Sequence, residues 1–129
     1  MKIITWNVNG IRAALGKRAL DWAFAQQPDA LCLQEVKARP EQLSDEQREM
    51  LKLPFAWNPA ERAGYSGVTT FYKEQPQEIV MGLGDTSFDV EGRVIQTVQS
   101  GLRLFNIYFP NGSVDKSVWI SNWHSCTFA

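Results

Sequence analysis

Two side chains that could hold a metal ion lie at the ends of apolar runs. Asn7 lies near the end of residues 2–8, and Glu35 lies near the end of residues 30–36. If the two runs are neighbouring parallel strands, about 4.8 Å apart, both side chains could reach one small cation at their carboxyl ends. A carboxylate and an amide oxygen suit a hard ion such as Mg²⁺. The residues alone leave open the alternative that Asn7 begins a turn and Glu35 is a solvated strand end.

A β-α-β unit would position these two side chains. Residues 2–8 and 30–36 are apolar and predict buried strands. Residues 12–27 place apolar side chains three to four positions apart, which predicts a helix that ends at Pro28. The two strands are therefore expected to be adjacent and parallel.

The remainder predicts mainly strands. Ser44 and Gln47 form a capping-box pattern that opens a helix to about residue 53. Short strands are expected at residues 55–60, 68–73, 78–81, 93–99 and 102–109. Ser100 and Gly101 predict a two-residue hairpin between the last two. The predicted fold class is α/β of the α+β type, with one mixed β-sheet and helices on one face.

Length and composition narrow the classes of protein. The chain has 129 residues, a net charge of −1 and 44% hydrophobic residues, which predicts one folded domain and argues against a disordered chain. No run approaches about 18 apolar residues and no signal peptide is evident, so we expect no membrane partner. The near-zero charge argues against bulk polyanion binding but allows a local basic face. Cys32 and Cys126 are too few for a disulfide framework or a cysteine zinc site, so a cytoplasmic location is expected.

The last residues of the chain show neither the apolar spacing of a helix nor the alternation of a strand. Residues 113–129 contain two tryptophans, Cys126 and His124, the single histidine of the chain. We therefore predict a division into residues 1–112 and an atypical tail, residues 113–129.

Five sequence blocks in residues 1–112 carry a family resemblance. In chain order they are TWNVNGIRA, LQEVK, GYSGV, EGRVI and NIYFPNG. Together they closely resemble the exonuclease III / apurinic-apyrimidinic endonuclease family of the endonuclease–exonuclease–phosphatase superfamily. The blocks NGIR, GYSGV and EGRVI favour the DNA-repair branch over the phospholipase and inositol-phosphatase branches.

The resemblance implies roles at the metal site. Asn7 resembles the asparagine that orients an active-site carboxylate near the metal, and Glu35 resembles the metal-binding glutamate. Asn9 falls where many relatives carry Asp near the metal, and the lost charge would weaken the site. Tyr108 resembles the tyrosine that contacts the scissile phosphate. The implied cofactor is Mg²⁺, with Mn²⁺ as an alternative.

The resemblance also implies DNA contacts. Arg12, Ala13 and Lys17 match positions that touch the DNA backbone, and Lys37 would lie near the metal and phosphate. Tyr65 and Arg93 match residues that pack against the bent duplex. Taken singly, these cations could be solvated or ion-paired, and Tyr65 and Tyr108 could be ordinary packed aromatics.

The implied activity is Mg²⁺-dependent hydrolysis of the phosphodiester 5′ to abasic sites in double-stranded DNA, or 3′-to-5′ exonuclease activity. The family's second-half motifs are absent: Gly-Asp-x-Asn, an Asp block and a terminal Ser-Asp-His. His124 follows Trp123 rather than Asp, so we assign it no catalytic role.

The chain therefore resembles the N-terminal half of a four-layer αββα sandwich. We expect it to be catalytically incomplete as given, with an uncovered sheet face through which it could self-associate. The alternatives are a non-catalytic half-domain with weak or no DNA binding and, less favoured, a hydrolase of small phosphate esters.

Overall fold

The computed structural model describes residues 1–109. The boundary predicted at residue 112, the tail at residues 113–129 and His124 lie outside these residues. In chain order the elements are β1 (Ile3–Asn7), α1 (Ile11–Gly16), α2 (Asp21–Ala25), β2 (Ala30–Gln34), a 3-10 turn (Pro40–Gln42), α3 (Asp45–Glu49), β3 (Phe55–Asn58), β4 (Val68–Tyr72), β5 (Glu78–Met81), α4 (Thr86–Asp89), β6 (Val94–Gln99) and β7 (Leu102–Ile107).

The strands form two sheets. The first has the order β1-β2-β4-β3, and its β1 and β2 are parallel neighbours with Asn7 opposite Gln34. The second is antiparallel, with the order β5-β6-β7. The predicted parallel pair is therefore confirmed, and so is the mixed α/β class. The prediction of one mixed sheet was wrong, because within residues 1–109 the last three strands pair with one another and not with the first sheet.

The second sheet covers most of the face that the sequence left uncovered. Strand β4 is buried along its whole length, because helices cover one face and the second sheet covers the other. Strand β1 differs: Ile3, Thr5 and Asn7 are exposed on its second face. The expected uncovered face is thus reduced to this edge strand, and self-association through it stays a prediction.

One buried asparagine joins the two sheets. Asn106 of β7 is 2% exposed. Its side-chain amide nitrogen donates to the Thr69 backbone oxygen at 2.9 Å and to the Thr70 hydroxyl at 3.0 Å. Its side-chain oxygen accepts a hydrogen bond from the Gln34 amide at 2.8 Å. Buried polar groups require such partners, so this network fixes how β7 lies against β2 and β4.

The predicted helix over residues 12–27 is divided into α1 and α2. The break lies at Arg18, whose φ of 56° is left-handed and therefore incompatible with a continuous helix. The Arg18 side chain pairs with Asp21 at 2.8 Å. Leu15 and Leu20 remain buried on either side of the break. The apolar spacing was preserved across the turn, which is why it predicted one helix.

No helix within residues 1–109 combines the length and apolar character needed to cross a membrane.

Alkaline pH should destabilise the fold. Burial raises the pKa of the Cys32 thiol from 9.0 to about 11 and that of the Tyr72 hydroxyl from 10.0 to about 12. Both folded pKa values exceed the unfolded ones, so stability is fully present below about pH 9 and falls as pH rises through the folded values. From Cys32 alone we expect the free energy of unfolding to fall by about 2 kcal/mol between about pH 8 and pH 10.5.

Urea unfolding at the two pH values measures this loss. Cys32→Ala is the matched variant, since it removes the thiol while retaining Tyr72. It should lose most of the pH dependence below about pH 10. A wild-type free energy of unfolding that stays constant over the range would contradict the prediction.

Candidate active site

Backbone hydrogen bonds hold the loops that follow β1 and β2 at one edge of the first sheet. The backbone amide of Gly10 donates to the backbone oxygen of Glu35 at 2.8 Å, and the backbone amide of Ile11 donates to the backbone oxygen of Val36 at 2.9 Å. Three non-glycine residues here have left-handed backbones: Asn9 (φ 48°), Glu35 (φ 56°) and Lys37 (φ 57°). Such conformations are costly and often cluster at functional sites.

Four predicted site residues meet at this edge. The Asn7 side-chain oxygen accepts a hydrogen bond from the backbone amide of Asn9 at 3.0 Å. The Asn9 side-chain oxygen accepts one from the Lys37 ammonium at 2.7 Å. The same ammonium lies 3.5 Å from a Glu35 carboxylate oxygen. The parallel register therefore places these side chains in one polar cluster.

Tyr108 enters the cluster from the second sheet. It follows β7, and its amide donates to the Arg93 oxygen at 2.8 Å. Burial raises the pKa of the Tyr108 hydroxyl, and the adjacent Glu35 carboxylate raises it further, while Arg93 acts in the opposite direction. The phenol therefore stays protonated at neutral pH, so it can donate a hydrogen bond to an anion.

Arg93 supports two aromatic side chains from inside the protein. Its side chain is 3% exposed and pairs with the Glu91 carboxylate. Its guanidinium donates to the Tyr65 hydroxyl at 2.9 Å and to the Tyr108 backbone oxygen at 3.3 Å. It also lies 5.0 Å from the centroid of the Tyr108 ring. The predicted DNA contact of Arg93 stays a prediction, whereas these contacts give it a positioning role.

The three residues that the resemblance predicts to contact the DNA backbone lie on or beside α1. Arg12 and Ala13 are exposed on α1, and Lys17 is exposed at its C-terminal end. The opposite face of α1 is buried through Ile11, Ala14 and Leu15. Neither Arg12 nor Lys17 forms an ion pair within residues 1–109. Both charges are therefore available to an anion, and their contact with DNA stays a prediction.

The donor set fits a hard cation. Glu35 supplies one carboxylate, and Asn7 and Asn9 supply amide oxygens. Within residues 1–109, no three His, Cys, Asp or Glu side chains form a group able to hold a metal. Magnesium is commonly held by one or two carboxylates with water and substrate phosphate, so this cluster suits Mg²⁺ better than zinc. The Lys37 ammonium would compete with that ion for Glu35.

Two contributors escaped the sequence prediction. Glu91 balances Arg93, and Asn106 fixes β7 two residues before Tyr108. Both lie in blocks that the sequence singled out, EGRVI and NIYFPNG. Alternation along a strand places Asn106 and Tyr108 on the same side, which was the available signal.

Comparison with known proteins identifies the family of the chain. Residues 4–126 match the model of the Endonuclease/Exonuclease/phosphatase family. The chain belongs to this family. The family resemblance drawn from the five blocks is thereby confirmed, and the division predicted at residue 112 stays a prediction.

Three relatives illustrate the similarity. The DNA repair nuclease APEX1 of Danio rerio is 40% identical over 115 residues, which cover 88% of this chain and 37% of the relative. An exodeoxyribonuclease of Bacillus subtilis is 38% identical over 112 residues, covering 86% and 43%. The solved 3'-5' exonuclease NExo of Neisseria meningitidis has a TM-score of 0.79 at 29% identity, covering 97% and 49%. The chain thus spans less than half the length of these proteins and has a partial form of their fold.

Proposed function

We propose that this chain carries the first part of a Mg²⁺-dependent DNA-repair nuclease site. The substrate would be double-stranded DNA, and the reaction hydrolysis of the phosphodiester 5′ to an abasic site or 3′-to-5′ exonucleolysis. The convergence of Glu35, Lys37 and Tyr108 on one edge carries this proposal, because it combines a metal-binding carboxylate with two donors for a phosphate. Membership of a family that contains DNA-repair nucleases supports DNA as the partner.

Each residue has a distinct task in this proposal. Tyr108, neutral at physiological pH, donates a hydrogen bond to a phosphate oxygen as charge builds there. Lys37 adds a positive charge beside the same phosphate, and Asn7 orients the turn that carries Asn9. Glu35 would hold the Mg²⁺, which supplies charge stabilisation for the phosphate and the leaving oxygen.

The described residues do not complete a hydrolase. Hydrolysis needs a group that activates or orients the attacking water. Within residues 1–109 there is no histidine and no cluster of acidic side chains around Glu35. We therefore propose that the 129-residue chain binds Mg²⁺ and duplex DNA but hydrolyses DNA very slowly.

Replacing Glu35 tests the proposed metal site. Glu35→Gln keeps the shape but removes the charge, so we expect Mg²⁺ affinity to fall at least about tenfold. Isothermal titration with MgCl₂ measures the loss. The control is Glu46→Gln, an exposed carboxylate of α3, which should leave Mg²⁺ affinity unchanged.

Outcomes on DNA separate the parts of the proposal. An abasic-site duplex should bind the wild-type chain more weakly as salt rises, because phosphate contacts release counterions. No binding would contradict the DNA assignment. Rapid Mg²⁺-dependent cleavage that Glu35→Gln abolishes would show that the 129 residues suffice, which would overturn the incomplete-site proposal.

A further inference from the structure

A second cationic feature lies beside the candidate active site. A shallow cleft separates the loop after β2 from the loop that precedes β4, and we call it the arginine cleft. Its charged lining side chains are Lys37, Arg39 and Arg62. We propose that Arg39 and Arg62 bind a backbone phosphate of the DNA strand whose neighbouring phosphate lies at Tyr108. This inference rests on the proposed function and extends its DNA-contacting surface.

The cleft has a firm framework. The Arg39 guanidinium donates to the Ala60 oxygen at 3.3 Å, which ties the two loops together. The Lys37 amide donates to the Ser66 oxygen at 2.8 Å, and the buried Trp57 donates to the Ala38 oxygen at 2.9 Å. These bonds fix the backbone from which the cations project, so a ligand would lose little freedom in ordering them.

One guanidinium is also restrained by an aromatic ring. The Arg62 guanidinium lies 5.1 Å from the centroid of the Tyr65 ring. Tyr65 is in turn held by its hydrogen bond from Arg93. A guanidinium stacked in this way keeps N–H groups free for an anion, because stacking uses its face and not its donors.

Two of the three cations that line the cleft, Arg39 and Arg62, have no carboxylate partner within residues 1–109, whereas Lys37 is paired with Glu35. No carboxylate from the described part of the chain lines the cleft. Arg39 and Arg62 are exposed, and unlike them Arg18 and Arg103 pair with Asp21 and Glu78. The chain as a whole carries a net charge of −1, so the unbalanced positive charge is a local property. An anion is therefore the expected ligand.

The shape favours a phosphodiester over a buried small molecule. The cleft has a volume of about 30 Å³, so a phosphate would lie across its mouth and not within it. Guanidinium groups bind phosphate oxygens in a paired geometry and are enriched at such contacts. Lys37 lines the cleft and also contacts Asn9, so this phosphate would adjoin the candidate active site.

The test is the salt dependence of duplex binding by the 129-residue chain. Fluorescence anisotropy compares the wild type with the double variant Arg39→Gln/Arg62→Gln. Loss of one phosphate contact should reduce the slope of log affinity against log salt by about 0.9 and weaken binding about 5–10-fold near 0.1 M salt. Arg103→Gln is the control, since this exposed arginine lies at the opposite end of β7 from Tyr108. Arg62→Lys should retain most of the slope.

A second double variant separates the two proposals. Arg12→Gln/Lys17→Gln removes charges that belong to the proposed function and not to the cleft, so its slope should fall independently. If the wild type binds DNA and the cleft variant keeps the full slope, the inference is overturned while the proposed function stands. Thermal melts followed by circular dichroism check that each variant is folded.

Inorganic phosphate gives a readout that does not depend on DNA. Phosphate should shift the Nε–H resonances of Arg39 and Arg62 in the wild type, and a lack of shift overturns the inference. A phosphate shift in a chain that binds no duplex would overturn DNA as the ligand and indicate a small phosphate ester. A shift together with duplex binding that depends on both arginines supports the inference.

Discussion

Replacing Asn106 with leucine is expected to lower the free energy of unfolding by about 3–4 kcal/mol. The substitution removes the donor to the Thr69 oxygen and the Thr70 hydroxyl, and it removes the acceptor for Gln34. Those partners are buried or partly buried, so water cannot replace the lost bonds without opening the sheets. Since a domain of this kind is stable by only about 5–15 kcal/mol, the change is a large fraction of the total.

Urea unfolding of the two proteins measures this loss. Gln99→Leu is a matched control because Gln99 also lies on a strand of the second sheet but makes one exposed hydrogen bond, to the Glu74 oxygen at 3.3 Å. We expect the control to cost less than about 1 kcal/mol. Equal costs for the two variants would mean that the Asn106 network contributes nothing special to the packing of the two sheets.

Local sequence patterns predicted the part of the fold that positions Asn7 and Glu35. One short helical segment separates the apolar runs at residues 2–8 and 30–36. Because it is long enough only for a direct crossover, the two strands are expected to be parallel neighbours. The observed register places Asn7 opposite Gln34, one residue before Glu35. Local order along the chain was therefore sufficient to bring these two positions to one edge.

Long-range pairing could not be predicted in the same way. Residues 78–81 and 94–99 are rich in Val and Ile, which predicts strands but does not say which sheet each strand joins. The pairing of β6 with β5 and β7 separates it from the first sheet. Local backbone geometry was similarly hidden: nothing in the apolar spacing marks the left-handed turn at Arg18.

The proximity of the candidate-site side chains could be predicted from local sequence, whereas the surroundings of those side chains could not. The cluster of Asn9, Glu35 and Lys37 follows from the loops at one sheet edge. The burial of Arg93 does not follow from the loops, because it depends on how the second sheet packs and on Glu91 as a partner. A charged residue in a strand block is compatible with either a surface contact or a buried support, and only the tertiary structure distinguishes them.

Replacing Arg93 with methionine should have the second large effect. Methionine has a similar length without charge, so Glu91 loses its partner and the Tyr65 hydroxyl and Tyr108 oxygen lose a donor. Glu91 is one-third exposed and can be partly solvated. We therefore expect a loss of about 2–3 kcal/mol, at or below the lower end of the range for a broken buried ion pair. The pKa of Tyr108 should also rise, because Arg93 lowers it in the wild type.

Two readouts distinguish support of the site from general stability. Urea unfolding gives the energetic cost, and ¹³C labelling at Cζ of the three tyrosines follows the titration of Tyr108 directly. The double variant Arg93→Met/Glu91→Gln removes the unpaired carboxylate, so it should recover part of the stability while the Tyr108 pKa stays high. If Arg93→Met leaves both the stability and the Tyr108 titration unchanged, Arg93 does not hold this tyrosine. Recovery of the Tyr108 titration in the double variant would instead assign the effect to Glu91, since the guanidinium is absent from both proteins.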